Sequence, residues 1–205
     1  HSFVQFIDGT SGKTGYFRYQ VNEFNYDPLN LDIRIGKSRF RHDSIQLNLE
    51  NEELRIDGDI KYSDTVKLPT GILAPGIMGW YSYVPTMECN HGVVSVDHKL
   101  SGRLNVNGVS NDYDDGRGYI EKDWGHSFPS AYIWMQSNHF DQPGISFKAS
   151  VARIPCVTGN FTGFIAGLWL NNRLHRFLEY NRSRISMLSR SESGVEIEFR
   201  NRHFT

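Results

Sequence analysis

Apolar and polar residues alternate along most of this chain with a period of two, the pattern of β-strands whose two faces meet different surroundings. Ile33 and Ile35 alternate with polar neighbours, and the alternation returns at residues 45–49, 145–151 and 195–199. No segment carries a sustained stripe of apolar residues at helical spacing. The pattern therefore predicts an all-β protein.

Short turn signals separate the predicted strands. The Asp-Gly pair at 57–58, the Asn-Gly pair at 107–108 and the Asn-Asn pair at 171–172 each predict the tip of a hairpin. Because such signals recur at short intervals, we expect an antiparallel meander that closes into a barrel or a sandwich. The segment 68–85 is rich in proline and glycine, and it predicts a loop over a barrel mouth or a seam between two barrels.

Composition narrows the function classes. The 205 residues suffice for one large β domain or two small ones, and 22 Lys and Arg nearly balance 23 Asp and Glu. A nucleic-acid-binding domain usually has a basic excess, so no nucleic-acid partner is expected. The histidines are scattered and the two cysteines, Cys89 and Cys156, lack metal-ligand spacing, so we expect no metal, no cofactor and two reduced, buried thiols.

The chain contains no apolar run long enough to cross a bilayer. It begins at His1 without a leader sequence, which predicts a piece of a longer chain. The two unpaired cysteines and the missing leader favour a cytoplasmic protein.

One segment, residues 116–129, differs from the surrounding β pattern because charged and aromatic residues crowd together there. In a strand, Tyr119, Glu121 and Asp123 would project from one face. A tyrosine and two carboxyls on one face are costly to bury unless they are paired, so the cluster is either a solvated edge or a working site. The spacing alone favours the solvated edge. The opposite face would carry Ile120, Lys122 and Trp124.

Five blocks of sequence occur together in an informative order. Residues 116–129 read Gly-Arg-Gly-Tyr-Ile-Glu-Lys-Asp-Trp-Gly-His-Ser-Phe-Pro, and residues 132–138 read Tyr-Ile-Trp-Met-Gln-Ser-Asn. Residues 1–8, 35–40 and 85–95 form the other three blocks. Together they resemble the tocopherol cyclase-like family over nearly the whole chain.

The resemblance implies a fold of two lipocalin-like antiparallel β-barrels in tandem. The first would cover residues 1–84 and the second residues 85–205, unless the two form one continuous unit. Family members carry further strands at both ends, so both barrels are expected to be incomplete. An eight-stranded barrel has room for one small ligand. The expected partner is a hydrophobic small molecule such as a prenyl quinol, with transient contact to a membrane surface; the oligomeric state stays open.

The resemblance also implies a chemistry. Plant members of the family close the chromanol ring of vitamin E precursors: a proton adds to a prenyl double bond, and the phenol oxygen captures the resulting cation. The related carotenoid hydratases protonate a similar alkene and let water capture the cation. Both reactions need a carboxylic acid held protonated in a dry cavity. A non-catalytic carrier of an isoprenoid would use the same scaffold, and it is the alternative function.

The resemblance assigns roles within residues 119–125, where the hydratases have Tyr-His-Asp-His-Asn-Trp-Gly. Glu121 falls at the hydratase acid and is the predicted general acid, with its pKa raised by burial. The alternative is a structural pair of Glu121 with Lys122 or an arginine. Tyr119 is expected to hydrogen-bond Glu121. Asp123 is expected to keep Glu121 protonated by charge repulsion, and it is the second candidate for the acid.

Further candidates lie outside this segment. His91 is a candidate to relay the proton or bind the phenol oxygen, and Glu88 is a second polar candidate beside it. The alternative for both is a structural role in the core. Aromatic and methionine side chains are candidates to line the ligand pocket and stabilise a cation, with core packing as their alternative. They are Trp80, Trp124, Trp134, Met78, Met87 and Met135.

Overall fold

The computed structural model describes residues 1–72, 75–84, 87–156 and 159–202, without the side chains at 155–156 and 159–160. Antiparallel β-strands make up most of the described chain, and its helices are three short 3-10 turns. The prediction of an all-β antiparallel protein is therefore confirmed. Each sheet in the described residues is an open path of strands, so closure into lipocalin-like barrels stays a prediction.

The chain folds as two compact units. The first unit comprises residues 1–65 and 98–118, and the second comprises residues 66–97 and 119–205. Neither unit is one continuous stretch, because the chain leaves the first unit and later returns to it. The expected pair of barrels divided near residue 84 stays a prediction.

The first unit contains a two-stranded sheet of β1 and β2 and a series of antiparallel neighbours from β3 to β7. The strands β7, β8 and β10 contribute residues to both units. The core of the first unit is built from Val4, Phe17, Leu49 and Ile56, all buried. The strand bounds are β1 (Ser2–Ile7), β2 (Thr14–Tyr19), β3 (Phe24–Tyr26), β4 (Asp32–Ile35), β5 (Ser38–Arg41), β6 (Ser44–Glu50), β7 (Arg55–Val66), β8 (Cys89–Val106), β9 (Val109–Asp112) and β10 (Arg117–Gly125). A 3-10 turn, Val21–Glu23, precedes β3.

Two turn signals in this unit have different outcomes. The Asn-Gly hairpin at 107–108 is confirmed: both residues have positive φ, and they join β8 to β9. The predicted hairpin at 57–58 is wrong, because β7 runs through both residues. Gly58 has a φ of 141°, and a Cβ there would overlap the carbonyl oxygen of Arg103. The glycine thus permits a close approach of two strands and does not form a turn.

The second unit holds a four-stranded antiparallel sheet in the order β11-β12-β13-β14 and a separate pair, β15 and β16. Their bounds are β11 (Tyr132–Ser137), β12 (Ser146–Cys156), β13 (Gly159–Leu170), β14 (Arg173–Leu178), β15 (Arg184–Arg190) and β16 (Val195–Arg200). The predicted strands at 145–151 and 195–199 are confirmed by β12 and β16. The Asn-Asn hairpin is confirmed as well, because residues 171 and 172 have positive φ between β13 and β14.

The proline- and glycine-rich segment supplies part of the second unit's core. Ile77 and Met78 are almost fully buried in a cluster with Ile165 and Leu178. A 3-10 turn, Gly79–Tyr83, follows them. The rest of the predicted loop region includes residues 73, 74 and 85, which lie outside the described residues.

Two expectations about the chain as a whole can be compared with the structure. None of the described helices has the length and apolarity that a bilayer crossing needs. Cys89 is buried and carries a free thiol, as predicted, whereas the side chain of Cys156 lies outside the described residues.

Candidate functional site

Strand β10 presents a tyrosine and two carboxyls to one face, as its period of two predicts. The Tyr119 hydroxyl donates a hydrogen bond to Glu121 Oε2 at 2.9 Å, which confirms the expected contact. His91, from β8, lies with Nδ1 at 2.6 Å from Asp123 Oδ1 and 3.4 Å from Glu121 Oε1. The Glu121 side chain is only 8% exposed, so the spacing-based expectation of a solvated edge is wrong for this residue.

A lysine that sequence reasoning missed completes the cluster. Lys148, on β12, places Nζ at 2.8 Å from Glu121 Oε1, and its side chain is 4% exposed. The two atoms form a close ion pair without the angles of a hydrogen bond. Lys148 shares its strand face with Ser146 and Ser150, which are also buried. The sequence did contain a signal for this residue: Lys148 lies on a polar strand face where its neighbours, Ser146 and Ser150, are small.

The ionisation of Glu121 is opposite to the expectation. Burial by itself raises the pKa of Glu121. The contact with His91, the charge of Lys148 and the Tyr119 hydrogen bond outweigh this effect and lower the pKa to about 2. Glu121 is therefore a carboxylate at neutral pH, and the predicted protonated acid is wrong. Glu121 does form an ion pair, but the expected partner, Lys122 or an arginine, is wrong, because the cation is Lys148. Lys122 lies instead over the Trp124 ring, 5.1 Å from its centroid.

Two aromatic side chains hold the other oxygen of Glu121. Trp134, from β11, donates from Nε1 to Oε2 at 3.2 Å, beside the Tyr119 hydroxyl. Burial raises the pKa of Tyr119, and the charges of Glu121 and Asp123 raise it further, so its hydroxyl keeps its proton. Glu121 is thus fixed by neutral donors on one oxygen and by positive charge on the other.

Two adjoining cavities open beside this cluster, and His91 and Cys89 line both. The larger, about 270 Å³, has Asp123 and Trp134 in its wall. The smaller, about 70 Å³, is lined mainly by apolar side chains. Together they reach the lower end of the size range of pockets that bind small molecules, roughly 300 Å³ and above. The apolar lining of the smaller cavity includes Met78, Met87, Ile154, Phe164 and Ile165.

The other predicted ligand-binding residues divide into two groups. Met87 and Glu88 line the smaller cavity, and Trp134 lines the larger one. Trp80 and Trp124 line neither of these two cavities and are about half exposed. Met135 packs against the core of the four-stranded sheet.

The cluster also has the composition of a metal site. His91, Glu121 and Asp123 each offer one ligand atom, all within 4.8 Å of one another. One imidazole and two carboxylates suit a divalent cation. However, the ammonium group of Lys148 already provides positive charge at Glu121. The expectation of no metal stays a prediction.

Comparison with known proteins places the chain in a family. The model of the tocopherol cyclase-like family matches residues 60–186, which is more than half of the chain. This range contains the strands of the site from β8 to β13 and the adjoining β14. No curated protein and no solved structure matches the chain significantly. The resemblance is confirmed over residues 60–186, and the chain belongs to the tocopherol cyclase-like family.

Proposed function

We propose that this protein binds a prenylated phenol or quinol in the two adjoining cavities and closes its ring by proton addition to the prenyl double bond. The observation that carries the proposal is the His91–Asp123 pair, joined at 2.6 Å, in the wall of the larger cavity, whose other lining residues are mostly apolar or aromatic. An apolar cavity with a few convergent polar groups is the usual form of a small-molecule site. Membership of the family supports the same substrate class.

The His91–Asp123 pair suits the phenol end of such a substrate. We assign His91 the tautomer whose Nδ1–H donates a hydrogen bond to the Asp123 carboxylate, which leaves Nε2 to accept a proton from a bound hydroxyl. The backbone N–H of His91 donates to the Met78 sulfur at 3.1 Å, which fixes the histidine against the cavity wall. We assign His91 the role of general base toward the phenol oxygen and Asp123 the role of orienting it.

Glu121 has a supporting role in this proposal. As a carboxylate paired with Lys148, it has no proton to give to an alkene. Its Oε1 lies 3.4 Å from His91 Nδ1, where it helps to hold the ring in place. The proton for the double bond must come from another group.

The ion-paired Glu121 favours one alternative, a carrier that binds an isoprenoid without chemistry. Glu121, the residue that aligns with the hydratase acid, is ionised here. A protein that has lost this acid could still bind the ligand without reacting with it. The cavities and their apolar lining would serve a carrier equally well.

Incubation with a geranyl-substituted hydroquinone separates the two functions. A cyclase converts it to a chromanol of identical mass and different retention in liquid chromatography with mass spectrometry. His91→Gln is expected to slow closure by about 10²–10⁴-fold, the usual contribution of a general base. Its dissociation constant, measured by tryptophan quenching, should stay within a few-fold of wild type.

The matched control is Glu192→Gln, which removes an exposed carboxylate and should behave as wild type. Binding without any isomer formation in wild type would establish the carrier. Neither binding nor isomer formation would contradict both functions.

A further inference from the structure

We propose that Glu179 supplies the proton that adds to the alkene, with Tyr81 as its hydrogen-bond partner. This proposal rests on the function proposed above and names the donor that Glu121 does not provide. Sequence reasoning missed both residues, because neither lies in the motif that carries the resemblance.

The position of Glu179 is the first argument. It begins a 3-10 turn, Glu179–Asn181, directly after β14, and its side chain lines the smaller cavity. Tyr81, from the other 3-10 turn of this unit, lines the same cavity and donates its hydroxyl to Glu179 Oε2 at 3.2 Å. His91 lines that cavity too. A ligand in the cavity would therefore meet an acid candidate and the base within one enclosure.

The charge environment separates Glu179 from Glu121. Glu121 has the Lys148 ammonium at 2.8 Å, whereas no cationic group in the described residues lies within ion-pair distance of Glu179. Burial raises the pKa of Glu179, and the Tyr81 hydrogen bond only partly offsets this. A carboxyl in an apolar pocket without a cation is the usual environment of a carboxylic acid that donates a proton near neutral pH.

Tyr81 is suited to hold this carboxyl and to face a cation. Burial and the neighbouring Glu179 raise the pKa of Tyr81 to about 12, so it remains a hydroxyl donor. Its ring packs against Trp80 and Tyr180, with centroids 4.8 and 5.2 Å away. An aromatic ring in the cavity wall stabilises developing positive charge through its π face.

A glycine allows the two 3-10 turns to pack closely together. Gly79 has a φ of 58°, and a Cβ there would overlap the Tyr180 hydroxyl. That hydroxyl donates to the Met78 carbonyl oxygen at 3.3 Å. The contact ties the segment that carries Tyr81 to the turn that carries Glu179.

The proposed step is balanced in atoms and electrons. The Glu179 carboxyl proton bonds to the less substituted alkene carbon through the π electron pair, and the carboxyl becomes a carboxylate. The cation on the more substituted carbon accepts a lone pair from the phenol oxygen, which forms the new C–O bond. The phenol proton passes to His91 Nε2. His91 then releases a proton to solvent and Glu179 takes one up from solvent, which restores both groups. The product is an isomer of the substrate.

The test compares wild type with Glu179→Gln, whose amide oxygen still accepts the Tyr81 hydroxyl. Ring closure of a geranyl-substituted hydroquinone should fall by at least about 100-fold in the variant, while the dissociation constant changes less than about threefold. The infrared carbonyl band of a protonated carboxyl, recorded at neutral pH, should be present in wild type and lost in Glu179→Gln. Glu192→Gln is the matched control and should keep both the closure rate and the band.

The outcomes distinguish this assignment from the proposed function. Ring closure in wild type that persists in a folded Glu179→Gln protein overturns the role of Glu179 and leaves the cyclase intact. An unchanged carbonyl band in the variant overturns it as well, and this measurement needs no turnover. Absence of closure in wild type overturns the proposed function and the assignment together.

Discussion

The ion pair between Glu121 and Lys148 offers a sharp test of how this site is built. Replacing Glu121 by Gln keeps an acceptor for Tyr119 and Trp134 but removes the negative charge beside a buried ammonium group. We expect the free energy of unfolding to fall by about 3 kcal/mol at neutral pH, because breaking a buried ion pair leaves the remaining charge buried without a partner.

The magnitude follows from the pKa of Glu121, which falls from 4.5 to about 2 on folding. A tenfold change in an acid dissociation constant corresponds to about 1.4 kcal/mol, so the lowered pKa again gives roughly 3 kcal/mol. Since the folded pKa is depressed, this contribution is fully present above about pH 4.5 and is lost as the pH falls toward 2. The difference between wild type and Glu121→Gln should therefore narrow in acid.

Urea unfolding followed by tryptophan fluorescence measures this loss of stability with reporters in the unit that contains the ion pair. The four tryptophans, at 80, 124, 134 and 169, all belong to the second unit. The double variant Glu121→Gln/Lys148→Met removes both charges and should recover most of the loss. Glu192→Gln, an exposed carboxylate, should change the stability by less than about 0.5 kcal/mol.

Additivity would refute this reasoning. If the double variant lost the sum of the two single losses, the two side chains would not be coupled and Glu121 would not be an ionised partner of Lys148. An unchanged midpoint for Glu121→Gln at neutral pH would lead to the same conclusion.

Three further outcomes are expected from the structure. Gly58→Ala forces a strained φ and a backbone overlap, so it should destabilise the protein by about 1–3 kcal/mol, seen as a lower thermal midpoint in circular dichroism. Gly9→Ala, with open space at Cβ, should change the midpoint little. Ile56→Ala, at a fully buried position, should lower the free energy of unfolding in urea by about 2–5 kcal/mol. Ile7→Ala, at a position 64% exposed, should lower it by less than about 0.5 kcal/mol, and equal losses would contradict the assigned core. Because burial raises the pKa of Cys89, peptide mapping should find it alkylated by iodoacetamide more slowly in the native protein than in the unfolded one. Equal labelling rates in the two states would count against a buried thiol.

Local pattern was sufficient for most strands but not for every turn. The Asp-Gly pair at 57–58 and the Asn-Gly pair at 107–108 give the same signal, yet one lies inside a strand and the other in a hairpin. Both pairs contain a glycine with positive φ. Only the close approach of Arg103 explains why Gly58 is required within β7, and that approach depends on residues far along the chain.

The site, too, was predictable where it depends on local pattern and not where it depends on contacts between distant residues. A period of two brings Tyr119, Glu121 and Asp123 to one face without any knowledge of the fold. The direction in which the pKa of Glu121 moves depends on Lys148, which comes from a different strand and gives no local signal. Burial alone would have raised that pKa, as the sequence predicted, so the error lay in the missing partner.

Ring closure in deuterium oxide tests the central proposal most directly. A geranyl-substituted hydroquinone incubated with the wild-type protein should yield a chromanol that carries one deuterium bound to carbon, at the former alkene position. Proton addition by an exchangeable acid requires that label. A chromanol without carbon-bound deuterium, or a substrate that binds and is recovered unchanged, would contradict proton-initiated cyclisation by this protein.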